Sequence, residues 1–321
     1  MTEGLFTDME MLNDADGLSL ETDLFAPVGV RPDEADKIKR KSQTYLQDAS
    51  RRFKENKASV VGVVLLLTLV LLSLFGPMMV PYEYDDTDLK SANQGPSAEH
   101  WFGTDELGRD LWARVWVGGR VSILIGVIAA VLEATVGVSV GSVAGFVGGK
   151  VDELIMRFVE FLMAFPYLVW VTLLMMITGS GILPMILALT LTGWLSMARL
   201  TRGQILSLKN EDYVLAAASL GSDGSRIVRR HMIPNMMGVI IVAMTFAIPA
   251  AIFAEAFLSF IGIGIKSPQT SWGLLVSMGM KQIHTYPLRL FFPALLICLT
   301  MLSLQLIGDG LRDALYPKLR H

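Results

Sequence analysis

The sequence predicts an all-α membrane protein of about six transmembrane helices, preceded by an N-terminal amphipathic helix lying on the membrane surface. Three observations predict it. The chain has 321 residues, 52% of them hydrophobic and only 18% charged, where soluble domains carry about 25% charged residues. Its mean hydropathy is +0.50, and the apolar residues come in long blocks rather than at the short periods of a soluble core. Lys and Arg collect beside alternate block ends, which assigns those ends to the cytoplasmic side.

The same composition narrows the function. A formal net charge of −3 argues against nucleic-acid binding by overall charge. A single cysteine, Cys298, excludes an intrachain disulfide. His100, His231, His284 and His321 are far apart in sequence and form no metal-ligand motif. Gly149-Lys150 is followed by Val151, and Ala144 stands where a phosphate-binding loop needs glycine. No catalytic residue, bound metal or cofactor is therefore expected on this chain.

Residues 1–36 are acidic, with Arg31 the only base, and read as a disordered cytoplasmic tail rather than a cleavable signal peptide. Residues 37–57 turn basic. Tyr45, Leu46, Ala49 and Phe53 share one face at helical spacing, so this is the interfacial amphipathic helix. Residues 58–310 form the transmembrane region. Spans are expected at about 58–80, 118–147, 154–178, 182–200, 235–265 and 288–308, each near the roughly 20 residues a bilayer needs. Gly148-Gly149-Lys150 and Gly179-Ser180-Gly181 make the tight connections. Residues 81–117, rich in Asp and Glu, form an outer loop, residues 201–234 a cytoplasmic one, and residues 311–321 a cytoplasmic tail. Both termini are then on the cytoplasmic side of the cell membrane.

Within the spans, Gly137, Gly141 and Gly145 recur every four residues on one helix face, where they let another backbone come close. Glu133 and Glu255 are the carboxylates well inside apolar runs. Such a charge is costly in a bilayer, so each marks either a polar pathway or gate, or a hydrogen-bonded structural position. Pro166, Pro184, Pro249 and Pro293 sit in or at the ends of spans as kinks or hinges.

The segment between the fourth and fifth spans is patterned. Residues 211–220 form a short helix with an alanine face, Asn210 as its N-cap and Gly221 as its stop. Ser222 or Asp223 caps a second short helix carrying Arg226, Arg229 and Arg230, and Pro234 closes the segment where the next span begins. The bland alternative is a solvated basic loop. The stretch "LAAASLGSDGSRIVRRHMIPN" resembles the cytoplasmic signature of importer permeases of the ATP-binding cassette class. In that pattern Glu-Ala-Ala is followed by glycine and, after a fixed gap, by an aliphatic residue and proline. Ala216, Ala217, Gly221, Ile233 and Pro234 match; Leu215 stands at the usual glutamate and His231 at a usual aliphatic position. "HWFGTDELGRDLWARVWVGGRVS", "FLSFIGIGIKSPQTSWG" and "IGDGLRDALYPK" are similar to further blocks of peptide permeases, in the family's order, and the likeness covers the chain after about Gln43. Within the class it is similar to the C-type permease subunits of oligopeptide importers.

The resemblance implies the type I importer permease fold and a set of partners. These are a homologous permease that completes the pathway, two ATPase subunits that hold ATP and Mg, and an extracytoplasmic peptide-binding protein, with peptide as the substrate and lipid around the spans. It implies that Tyr213, Ala216, Ala217, Ser219, Gly221, Arg226 and Pro234 belong to the ATPase-coupling surface. An ion-driven secondary transporter would use Glu133 near mid-membrane, on broken helices in repeated halves, but no repeated half is visible. A passive channel would need a filter or ring of like residues. Dipeptides, glutathione, murein peptides and nickel complexes are the other substrates open within the class.

Overall fold

The computed structural model describes residues 45–315. The acidic tail, residues 37–44 of the predicted interfacial helix, and residues 316–321 lie outside the described residues. Among the described residues five helices are long and apolar enough to cross a membrane, and a bent pair makes up to six. The predicted all-α architecture is the one observed.

Helix α1 (Tyr45–Glu55) is held by Asp48, whose carboxylate accepts from Arg51 and Arg52, each at 2.7 Å. It hands over at Asn56, whose side-chain oxygen accepts from Ala58 and Ser59 to start α2 (Lys57–Phe75). Only Ser59, Gly62, Leu69 and Ser73 of α2 are buried. That small-residue stripe meets α11 (Leu288–Leu315): a Cβ at Gly62 would lie 2.8 Å from the Ser303 carbonyl. With little hydrophobic drive between helices in lipid, close backbone approach of this kind is what holds such a pair.

Helix α3 (Leu111–Val147) starts seven residues before the predicted span at 118, so the loop predicted as 81–117 ends at Asp110. Arg114, which reads as a loop base, is instead fully buried in the helix, with Asp105 3.6 Å away and its Nη1 donating to the Tyr84 carbonyl. Asp110 caps the helix by accepting from the Ala113 N–H at 2.8 Å. Gly137, Gly141 and Gly145 face α6 (Ile182–Leu208), and this is the most extensive helix pairing among the described residues. A Cβ at Gly145 would lie 2.9 Å from Ile205, and one at Gly141 would run into the Ala198 carbonyl.

The span predicted as 154–178 is two helices. Helix α4 (Gly149–Met163) and α5 (Tyr167–Thr178) meet at 84° across Phe165-Pro166. Proline lacks the N–H that would continue α4 and disfavours helical backbone at Phe165. Gly179 and Gly181, at φ 88° and 145°, then turn the chain into α6. Helix α6 continues eight residues past the predicted end at 200, with Thr201 and Ile205 buried. The predicted 201–234 loop is therefore short at its front.

It is short at its rear as well. Helix α8 (Gly224–Ile227), a wide π turn (Val228–Met232) and α9 (Ile233–Phe260) form one continuous rod, so the fifth span begins well before 235. The π turn directly precedes Pro234, whose ring crowds the carbonyl four residues back, and the wider turn accommodates it. Pro234 thus lies within the rod and does not close the segment. Helix α9 stops at Phe260, before the predicted 265, with Gly262 at φ 84°. The stretch predicted as a mixed loop holds α10 (Trp272–Lys281), capped by the Ser271 hydroxyl accepting from Leu274. The centre of the bundle is α3, α6 and α9, where Ile125, Leu189 and Leu258 are buried without exposure.

Candidate functional site

The segment that joins α6 to α9 is built around α7 (Asp212–Ser219). No side chain caps its first turn: Glu211 occupies the N-cap, in place of the expected Asn210, and works only through its backbone. Its end is sharply defined. Gly221 takes φ 80°, its N–H donates to the Ala218 carbonyl, and the Ser222 N–H donates to the Ala217 carbonyl. That pair of bonds closes a helix with glycine in the left-handed region. Asp223 then caps α8 by accepting from Ser225.

The segment is anchored at several points. Lys209 donates to the Phe146 carbonyl at 2.8 Å, and a Cβ at Gly224 would strike the Phe146 ring. Arg202 makes two 2.6 Å bonds to Asp152, tying the end of α6 to α4. Asn235 donates its side-chain amide to the His231 carbonyl at 2.7 Å, and burial pushes the Tyr213 phenol above the ordinary value, with the Glu211 charge adding to it.

The two faces of α7 differ. Val214 and Ala217 point inward and join Ile205, Ile227, Met232 and Met236 in one core cluster. Tyr213, Leu215, Ala216, Ala218, Ser219 and Leu220 point outward. Leu215 is 51% exposed and Leu220 86%. Ala217, expected on the outward alanine face, is thus an anchor inside its own chain. The sequence reading missed Leu215 and Leu220 as surface apolar groups. For Leu215 the signal was available, since it lies two residues before Ala217 and falls off the stripe of Val214 and Ala217. Leu220 keeps the three-residue spacing from Ala217 but lies past the helix end at Ser219, so periodicity alone did not show it. Gly221, Arg226 and Pro234 are exposed beside this face.

Glu133 and Glu255 are placed apart. Glu133 of α3 lines a cavity of about 450 Å³ between α3, α5, α6 and α9, together with Tyr167, Thr192, Ser196, Phe246 and Ala250. Gly193 lies so close that any Cβ there would overlap the Glu133 carboxylate. Glu255 of α9 is fully buried away from that cavity. Its two oxygens accept from the hydroxyls of Ser122 at 2.9 Å and Ser259 at 2.8 Å. Those hydroxyls in turn accept from the backbone N–H groups of Trp272 and Ile265, both at 3.2 Å. Glu255 therefore fastens α3, α9, the 261–271 loop and α10 together.

At the other end of the bundle the 81–110 loop is equally closed. Asp105 accepts from Arg109 at 2.7 Å, and His100 and Asp110 meet at 2.8 Å. Arg109 reaches Ser267, and Arg289 reaches Asn93, so the loop is tied to the connections around α10 and α11. Among the described residues no group of three or more His, Cys, Asp or Glu is placed to hold a metal ion.

Comparison with known proteins adds the family. Residues 137–321 match the model of the binding-protein-dependent transport system inner membrane component, and residues 44–96 match the N-terminal transmembrane domain of oligopeptide transport permease C. The chain is 48% identical over 302 residues to the oligopeptide transport system permease protein OppC of Bacillus subtilis, covering 94% of this chain and 99% of that one. It is 50% identical over 290 residues to the dipeptide transport system permease protein DppC of the same organism, covering 89% and 90%. To the oligopeptide transport system permease protein OppC of Escherichia coli K12 it is 44% identical over 286 residues, covering 88% and 95%.

Proposed function

The chain belongs to the inner-membrane component family of binding-protein-dependent transport systems, and on that premise we propose that it is the permease subunit of an ATP-driven oligopeptide importer. It forms half of the pathway beside a homologous permease. Two ATPase subunits, which hold ATP and Mg, drive it, and an extracytoplasmic binding protein delivers the peptide. Residues 209–234 and both termini face the cytoplasm, where the basic span ends collect.

The observation that carries this reading is the two-faced helix α7. It is fixed to its own chain through Val214 and Ala217, yet nothing among the described residues covers Leu215 and Leu220. Covering each leucine fully contributes about 1.5–3 kcal/mol, so the outward face is a seat for a partner protein. A short helix locked to α6 and α9 transmits the movement of that partner to the spans. Closure of the ATPases on ATP then shifts the permease pair between inward- and outward-facing states, because ATP and loaded binding protein favour different states.

The test is assembly. Leu215→Asp combined with Leu220→Asp is expected to abolish co-purification of the ATPases with the permease pair while the pair itself stays intact. ATPases retained at the wild-type ratio would refute docking through α7. Ala217→Asp, by contrast, would disrupt the inner core of the segment and report folding as much as docking.

The likeness to a dipeptide permease at 50% identity favours a second substrate reading, dipeptides. Competition between dipeptides and pentapeptides for uptake by the reconstituted importer separates the two.

A further inference from the structure

We infer that the Glu133 cavity is a binding site for a primary ammonium group of the peptide in transit, a conclusion that rests on the importer reading above. Glu133 as a whole is 8% exposed and lines the cavity, and among the described residues no hydrogen bond reaches its carboxylate. A buried carboxylate without a partner is expensive in a membrane interior and is retained where a cation visits it. The neighbouring hydroxyls are oriented for the same visitor. Thr192 donates to the carbonyls of Leu189 and Ala188, at 3.2 and 3.4 Å. Tyr167 lines the same cavity, so its phenol oxygen stands among the groups open to a visitor there. An ammonium carries three donors and no acceptor, and finds here a carboxylate and a phenol oxygen.

The shape agrees. Gly193 leaves the carboxylate uncovered where any side chain would displace it. On α9, Ala243, Ala247, Ala250 and Ala251 line the cavity with methyl groups beside the larger Phe246. The resulting volume of about 450 Å³ is that of a site for a small ligand or a short stretch of peptide. The site holds one charged group of the substrate and leaves its side chains unread, which suits a pathway that passes many sequences.

The experiment uses the complete importer, with both permeases, the ATPases and the binding protein, reconstituted in vesicles. Three peptides of equal length are compared, each at a concentration that saturates the binding protein. One has a free α-amino group and no lysine, one is N-acetylated without lysine, and one is N-acetylated with a single lysine. The variant to wild-type ratio cancels the preference of the binding protein, which is unchanged. Glu133→Gln is expected to lower uptake of the free-amine peptide about tenfold, the loss of one charge-assisted bond, and to leave the acetylated lysine-free peptide within about twofold. If the lysine peptide falls too, any primary ammonium is accepted; if it does not, the site takes the α-ammonium alone. Equal loss for free-amine and acetylated lysine-free peptides, or no loss for either, overturns the inference. Tyr167→Phe gives a second route if Glu133→Gln does not assemble: it should lower free-amine uptake selectively, and a uniform effect counts against the site. Failure of the wild-type importer to take up any peptide would instead overturn the importer reading, and this inference with it.

Discussion

Glu133 and Glu255 are the same residue in the same kind of surroundings by sequence, each a lone carboxylate within an apolar helix. Their environments are opposite. Glu255 is closed in by two serine hydroxyls that relay to the backbone of Trp272 and Ile265. Glu133 has a cavity in front of it and Gly193 beside it. A satisfied buried network rigidifies a fold, whereas an unsatisfied buried charge is tolerated where something else completes it. The first glutamate is therefore bound into the scaffold, and the second faces the cavity proposed above as a substrate site.

That contrast can be broken by substitutions read as thermal stability of the detergent-purified permease pair. Glu255→Ala should have the largest effect. It orphans the Ser122 and Ser259 hydroxyls, at about 1–3 kcal/mol each, and the pair should melt several degrees earlier. A melting point unchanged from wild type would remove Glu255 from the scaffold.

Gly273→Ala comes next. Its Cβ would meet the backbone of Ala256, the residue after Glu255, with the Ala256 carbonyl oxygen 2.8 Å away. Backbone cannot step aside cheaply, so a loss of about 1–3 kcal/mol is expected. Gly193→Ala should cost less, below about 1 kcal/mol, because the group in its way is the far end of the Glu133 side chain, which has a cavity to move into. A Gly193→Ala loss as large as that of Gly273→Ala would show that Glu133 is as firmly held as Glu255.

The smallest shift is expected for Glu133→Gln, within about 1 kcal/mol of wild type, since no described hydrogen bond is lost. Its consequence is selective uptake instead. A large destabilisation would return Glu133 to the scaffold and erase the contrast.

Much of the fold was legible because lipid imposes simple rules. Long apolar blocks, basic span ends and glycines every four residues follow from the need to satisfy backbone groups and pack without water. The failures share a cause. Arg114 interrupts the apolar pattern, so the start of α3 was read too late; its charge is neutralised by Asp105, nine residues earlier but brought beside it by the loop fold. The bend at Pro166 was visible as a proline, but a proline does not say whether a helix kinks slightly or turns by 84°. Leu208 and Gly224 bound a shorter connecting segment than the composition suggested, because polar residues such as Thr201 are buried between helices.

The connecting segment shows the same division. Its helix, glycine stop and aspartate cap follow from local chemistry, which depends on neighbours in sequence. Which alanine faces in does not. Ala216 and Ala217 are adjacent and alike in sequence, and only the positions of Ile205 and Met232 decide that Ala217 is core and Ala216 is surface.

The sequence by itself determined an all-α chain of about six spans, the place of the short helix between the fourth and fifth of them, and its kinship with importer permeases. It did so because periodicity, span length and turn chemistry are properties of short stretches. Only the tertiary structure decided the roles of the two glutamates and of the two faces of α7. Those roles depend on whether partners from distant helices arrive, and Ser122 reaches Glu255 across 133 positions of chain while no described group hydrogen-bonds to Glu133.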